Sequence, residues 1–259
     1  MKAKNIYVLI ALILFLVTPA TSALAEWNFG IGTGFTLLNL DGDIGIDTQG
    51  LVSVPVKLDV SLDPDDVNDL MKSAFGVAGY ATDGTWKVTY SIAYLELEGD
   101  GKARNLSADI DFKTTIAELL VSYPVYKSDP VTLSLAGGLR YTDQEIDIDM
   151  TLTRPILGTL KRSNDNENDW TDAVVGIAAD VKLAENWSWN TLADAGFGGS
   201  EGTYTARTGV TWRFLPSWST TLSAKYAAVE FEDGNKGDLD WYLYDVDETY
   251  LGLGVLYNW

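Results

Sequence analysis

Eight charged residues stand singly on stretches that otherwise carry serine, threonine and glycine: Glu118, Arg140, Asp172, Asp180, Asp194, Arg207, Arg213 and Lys225. Four acids and four bases suit an enclosed polar space in which each buried charge finds a partner. Two arrangements fit: a network that fills and stiffens the space, or the lining of a narrow polar conduit. The filled arrangement is the expectation here. Catalysis has little to work with, because the chain of 259 residues holds no His and no Cys. Ser–His and Asp–His pairs, Cys nucleophiles and Cys/His zinc sites are therefore absent. Ser223 and Lys225 have the spacing of a Ser–Lys pair, but same-face neighbours on a strand ordinarily just point into a polar lumen. No catalytic residue, enzymatic activity or cofactor is expected.

Oxygen-seeking cations are the remaining candidate ligands. "DGDIGID" (41–47) and "FEDGNKGD" (231–238) bring Asp41, Asp43 and Asp233 near other carboxylates. Neither follows the full twelve-residue calcium-loop pattern, so no specific metal site is expected. Diffuse screening by divalent ions, shared with anionic lipopolysaccharide, is the expectation.

The elements that must hold these residues show a period of two, the mark of strands. Trp27, Phe29, Ile31, Thr33, Phe35 and Leu37 alternate with Asn28, Gly30, Gly32 and Gly34. The chain ends in the same way, with Leu251, Leu253, Val255, Tyr257 and Trp259 alternating with Gly252 and Gly254. Connections alternate too. Short turns at 81–84, 127–130, 184–186 and 215–217 separate connections at 39–69, 99–107, 143–169, 198–202 and 232–244, most of them longer and often acidic.

Aromatics gather beside the short turns: Trp27, Trp86, Tyr123, Trp187, Trp189, Trp212, Trp218, Tyr257 and Trp259. A looser set, Tyr94, Tyr141, Trp170, Phe197, Trp241 and Tyr242, lies by the long connections. Two girdles flanking apolar faces of about ten residues are the pattern of a transmembrane barrel, because the bilayer tolerates no open sheet edge. The fold class expected is all-β: a closed antiparallel transmembrane barrel of ten strands, with eight or twelve also fitting. The strands are placed near 27–38, 70–80, 85–97, 108–126, 131–150, 168–183, 187–198, 203–215, 218–231 and 246–259.

Two segments depart from simple alternation. In 39–69 a hairpin should continue above the membrane, followed by one short helix with Asp63 as N-cap, Pro64 at N1 and Asp66 at N3; it can cap the barrel mouth or enter it, and a surface cap is the expectation. In the two strands that flank the "KSDP" turn, Asp109, Asp111, Asp143, Glu145, Asp147 and Asp149 replace apolar residues outside, while Ile110, Phe112, Ile146, Ile148 and Met150 become apolar inside. That hairpin should project into water, wet outside and packed inside.

The first 25 residues read as an export signal: Lys2 and Lys4, an apolar run from Ile6 to Val17, and Ala23-Leu24-Ala25. Residues 26–259 then form one barrel domain. Without Lys2 and Lys4 the 18 basic residues become 16, which against 37 acids gives a charge of −21. Such a chain repels nucleic acid.

The stretches "DWTDAVVG" (169–176), "ADAGFGG" (193–199), "GVTWRF" (209–214), "KYAAVEFEDG" (225–234) and "GLGVLYNW" resemble a family of outer-membrane β-barrel proteins of Gram-negative bacteria, mostly without assigned function. The resemblance, which extends over 27–259, implies a barrel in the outer membrane and brings no established reaction. It implies periplasmic termini, contact with outer-membrane lipids and lipopolysaccharide, and a last strand read by the outer-membrane insertion machinery. The overall expectation is a monomer with a structural or surface-interaction role. A narrow passive channel is second, and a lipid-binding or lipid-modifying barrel third.

Overall fold

The computed structural model describes residues 27–48, 54–103, 106–154, 158–238 and 241–259; the expected export signal lies outside them. In chain order the elements are β1 (Asn28–Thr48), β2 (Val54–Leu62), α1 (Pro64–Leu70), β3 (Met71–Thr82), β4 (Lys87–Ala103) and β5 (Leu106–Ser128). Then come β6 (Val131–Arg154), β7 (Gly158–Ala184), β8 (Trp187–Phe197), β9 (Gly202–Leu215), β10 (Trp218–Asp233) and β11 (Tyr242–Asn258). Each strand pairs antiparallel with its neighbour, and β1 meets β11 from Gly30↔Asn258 to Ile46↔Tyr242, which closes the sheet. Of the eleven strands among the described residues only β2 stands outside the wall, paired to the upper part of β1, so ten form the barrel. The ten fall where the sequence places them.

Several connections read as loops are strand instead. β6 and β7 run 24 and 27 residues and pair as far as Arg154↔Gly158. That is more than twice the ~9–11 residues a tilted strand needs to cross a bilayer, so their upper parts stand clear of it. Inside that projection Phe112, Ile146 and Ile148 are buried, as the reversed pattern predicts. The side chain of Met150 lies outside the described residues.

The same reversal reaches every strand that continues upward, and it corrects one reading. Trp170, Trp241 and Tyr242 do not join a girdle; they are buried inside the upper barrel, with Trp170 stacked on Phe231 at 4.1 Å. Above the belt the outer face meets water, so the inward positions become the apolar ones. Leu38, Leu40, Leu97, Phe112, Tyr244 and Val246 complete that core.

α1 begins as expected. The Asp63 carboxylate accepts from the amides of Asp65 (2.9 Å) and Asp66 (3.0 Å), while Asp66 accepts from the Asp63 amide at 3.2 Å. This is a reciprocal capping box. Val67 turns into the upper core and Leu70 packs at its edge, so the helix roofs the space between β1 and β4.

Candidate functional site

Halfway up the barrel the inward charges converge. Arg140 on β6 donates from Nε and Nη2 to one oxygen of Glu118 on β5 (3.1 and 2.6 Å), and Nη2 also reaches Asp194 on β8 at 2.8 Å. Arg207 Nη1 on β9 holds the other Glu118 oxygen at 2.9 Å. The second oxygen of Asp194 accepts from Thr205. Residues from four strands thus span the bore in one layer.

Counting from the "KSDP" turn puts Glu118 and Arg140 diagonally opposite each other; the structure pairs them directly. A bulge between Pro124 and Tyr126 adds one residue to β5 and moves the register by one.

Above this layer Lys225 lies with its ammonium 4.9 Å from the Tyr250 ring. Beside it Glu248 accepts from the hydroxyls of Tyr244 (2.8 Å) and Tyr250. Arg140 Nη1 has no hydrogen-bond partner among the described residues, and a void of ≈ 20 Å³ adjoins it, enough for one water molecule. Higher still, Tyr242 donates to Gln144 at 2.8 Å, and burial pushes its phenol pKa up. Among the described residues, no hydrogen bond joins Ser223 to Lys225.

Below the layer the interior is open and polar. A cavity of ≈ 860 Å³ runs down to the short-turn end, lined by Ser91, Asn190, Thr211, Arg213, Ser223 and others. Lys87 and Asp180 form an ion pair at 3.2 Å across it. Arg213 and Lys182 line its lower part with no carboxylate in ion-pair range among the described residues.

The eight charges singled out in the sequence therefore occupy separate places. Glu118, Arg140, Asp194 and Arg207 form the central layer, and Lys225 lies just above it. Asp180 and Arg213 face the cavity. Asp172 belongs to none of these: it accepts from Ser200 and Thr203 hydroxyls (2.7 and 2.8 Å) and from the Gly199 and Ser200 amides (3.1 and 2.8 Å), fixing the β8–β9 turn. Sequence reasoning missed Glu248 and Lys87. Glu248 was legible, since it shares the even-numbered face of Gly252 and Gly254 on β11.

The acidic positions do not converge. Asp43 pairs with Lys57 at 2.8 Å, and this partner raises the lysine pKa. Asp233 accepts from the amide of Gly234 in its own turn. Among the described residues no three acidic side chains form a metal-sized group. The girdle by the short turns is built of ring contacts: Trp86 with Tyr123 (4.7 Å), Trp187 with Trp212 (5.7 Å), Trp218 with Tyr257 (5.2 Å) and Tyr257 with Trp259 (5.7 Å). Trp189 donates to Thr208 at 2.6 Å, while Trp27 begins the described chain.

No family model and no curated protein matches the sequence. The fold is similar to that of the outer membrane protease OmpT of Escherichia coli, with a TM-score of 0.56 at 8% identity, over 90% of this chain and 96% of that one. The translocator domain of the autotransporter NalP of Neisseria meningitidis aligns over 98% of this chain and 94% of that one, at 12% identity and a TM-score of 0.42. Ail, the attachment invasion locus protein of Yersinia pestis, aligns over 90% and 98%, at 12% identity and a TM-score of 0.37. The likeness to OmpT is one of fold.

Proposed function

We propose that this chain is a monomeric integral barrel of the Gram-negative outer membrane, closed to through-flow, with a structural or surface-interaction role. One observation carries the reading. The bore is crossed by the Arg140–Glu118–Asp194–Arg207 layer and then filled by the core of Trp170, Phe231, Tyr242 and Tyr244. Leu135, Leu139, Ile177, Leu222 and Leu253 leave an apolar band exposed on the outside, which favours hydrocarbon as the surrounding solvent. The ring contacts at the short turns suit an interface belt there, with periplasmic termini. The acidic strand extensions then face the medium, where lipopolysaccharide and divalent ions are the available partners. The insertion machinery would read the last strand during biogenesis. Asp194, the carboxylate that the Thr205 hydroxyl reaches, is itself held by Arg140, so the layer is read as structural and the barrel as acting without catalysing a reaction.

Planar-bilayer recording tests the closure. The wild-type barrel should give no reproducible conductance steps. Steps whose size changes in Arg140→Ala or Arg207→Ala would instead establish a narrow channel.

A further inference from the structure

The wall is not uniformly zipped. β1 pairs with β3 over five residue pairs only, from Asn28↔Thr82 to Gly32↔Ala78. Above them β1 continues beside β11, and β3 continues beside β4. Between Thr33–Asn39 and Met71–Val77 no strand pairing joins the two edges among the described residues. Exposure marks the same place. Thr33, Gly34, Phe35, Thr36 and Leu37 are all exposed, as are Lys72, Ser73, Ala74 and Phe75, whereas a closed wall alternates. Among the described residues one side-chain hydrogen bond crosses the gap, from the Thr33 hydroxyl to the Gly76 carbonyl at 2.6 Å.

The gap has built ends. Below, Tyr80 lies against Gly30 inside the barrel and reaches Asn258 at 3.0 Å, while Tyr90 covers Gly79 and approaches the Gly30 carbonyl at 3.4 Å. Each ring occupies the space a glycine leaves open. Above, α1 roofs it with Val67 and Leu70. The opening is thus confined to the part of the wall where Phe35 and Phe75, each 60% exposed, face outward.

Behind it lies the cavity. Ala78, at the foot of the gap, and Gly254, the β11 partner of Gly34, both line it. The gap's inner edges are Gly34, Thr36, Ala74 and Gly76, all small; they do not themselves line the cavity, which begins at the foot of the gap. In hydrocarbon, unpaired backbone amides and carbonyls along both edges are costly and call for a polar partner. The cavity meanwhile holds Arg213 and Lys182 without ion partners among the described residues, two bases against the single unpaired carboxylate of Glu185.

We infer that the β1–β3 seam is a lateral portal through which an anionic membrane amphiphile enters the blind lumen from the bilayer. Its acidic head lies toward Arg213 and Lys182, and its chain leaves through the seam between Phe35 and Phe75. The inference rests on the membrane placement proposed above.

Phosphatidylglycerol carrying a diazirine near the head end of one acyl chain tests it in liposomes, with the equivalent phosphatidylcholine beside it. Labelled residues are mapped by peptide sequencing. The portal requires phosphatidylglycerol to label Ala78, Ser223 or Gly254 within the lumen as well as the outer belt, and phosphatidylcholine to label the belt alone. Continuing the β1–β3 register puts Thr36 opposite Ala74, so oxidised Thr36→Cys/Ala74→Cys should lose lumen labelling and regain it on reduction. Arg213→Ala/Lys182→Ala should lose it without any lock. Belt labelling with an unlabelled lumen overturns the portal and leaves the membrane placement standing. An unlabelled belt overturns the placement itself. Equal lumen labelling by both lipids overturns the anionic head, and cross-links from seam residues to a second polypeptide overturn the lipid as occupant.

Discussion

Strand β11 passes through both halves of the barrel without changing the phase of its side chains. In its lower half Leu251, Leu253 and Val255 point outward, and Gly252 and Gly254 point in. In its upper half Asp245 and Asp247 take the outward positions, while Tyr242, Tyr244 and Val246 are buried inside. The pleat stays constant and the residue types trade places. What changes is the solvent outside: hydrocarbon below, water above. Glu248, held by Tyr244 and Tyr250, sits where the exchange occurs, just above the layer around Arg140 and lining the same small void. The lower half can leave its interior wet because its outside supplies the apolar contact. The upper half needs an apolar core of its own.

The boundary layer is the place to break this contrast hardest. Arg140→Leu strands Glu118 and Asp194 without their shared guanidinium, which should cost about 3–5 kcal/mol in urea unfolding from lipid vesicles. Adding Glu118→Gln and Asp194→Asn to the same chain should recover most of that loss. If it does not, packing rather than charge is what Arg140 provides there.

Next in size is the outward face of β11. Leu253, 57% exposed on that face, becomes a buried charge in hydrocarbon when replaced by Arg, at a cost of about 2–4 kcal/mol. Asp245→Arg, outward on the same strand but above the belt, should shift stability by less than about 0.5 kcal/mol. Equal effects of the two substitutions would erase the distinction between the halves.

Smaller effects sit at the two ends. Asp63→Ala removes the α1 cap and should cost about 1 kcal/mol, visible as faster amide exchange at Asp65, Asp66 and Val67. At the short-turn end the amides of Thr85 and Trp86 donate to Asp83 (2.8 and 2.7 Å) and hold its carboxyl below the usual range. A depressed folded-state value gives the turn its support above the ordinary carboxylate pKa and withdraws it as pH falls through the folded one. Carbon-detected NMR should find Asp83 titrating below the ordinary range, with the two amide shifts moving at the same midpoint. A normal titration would remove the turn contact.

Much of this was legible beforehand because the causes are local. The strand pattern, the short turns and the capping box of α1 depend on residues close in sequence. Even the apolar interior of the β5–β6 projection could be read from Ile110, Phe112, Ile146 and Ile148. The extension of that reversal to Trp170, Trp241 and Tyr242 was not drawn. An aromatic at a strand end looks the same whether it anchors an interface or fills a core. The inward charges were half legible: the layer's four members were found, but they were grouped with Asp172, Asp180, Arg213 and Lys225, which lie elsewhere, and Glu248 above the layer was left out.

The sequence by itself determined an alternating chain of strands joined by short turns on one side, with ten as the expected count, because period two and turn chemistry are properties of neighbouring residues. It determined which face holds charge and which holds apolar bulk. Only the tertiary structure decided which charges meet, because a bulge near Pro124 moves the β5–β6 register by one and barrel closure brings β5, β6, β8 and β9 to a common height. Only it decided that the bore is filled above and open below. It alone revealed the gap between β1 and β3, since β1 pairs with β3 only at its foot and with β2 only from Leu40 upward, and no local pattern in the chain encodes where those two pairings stop.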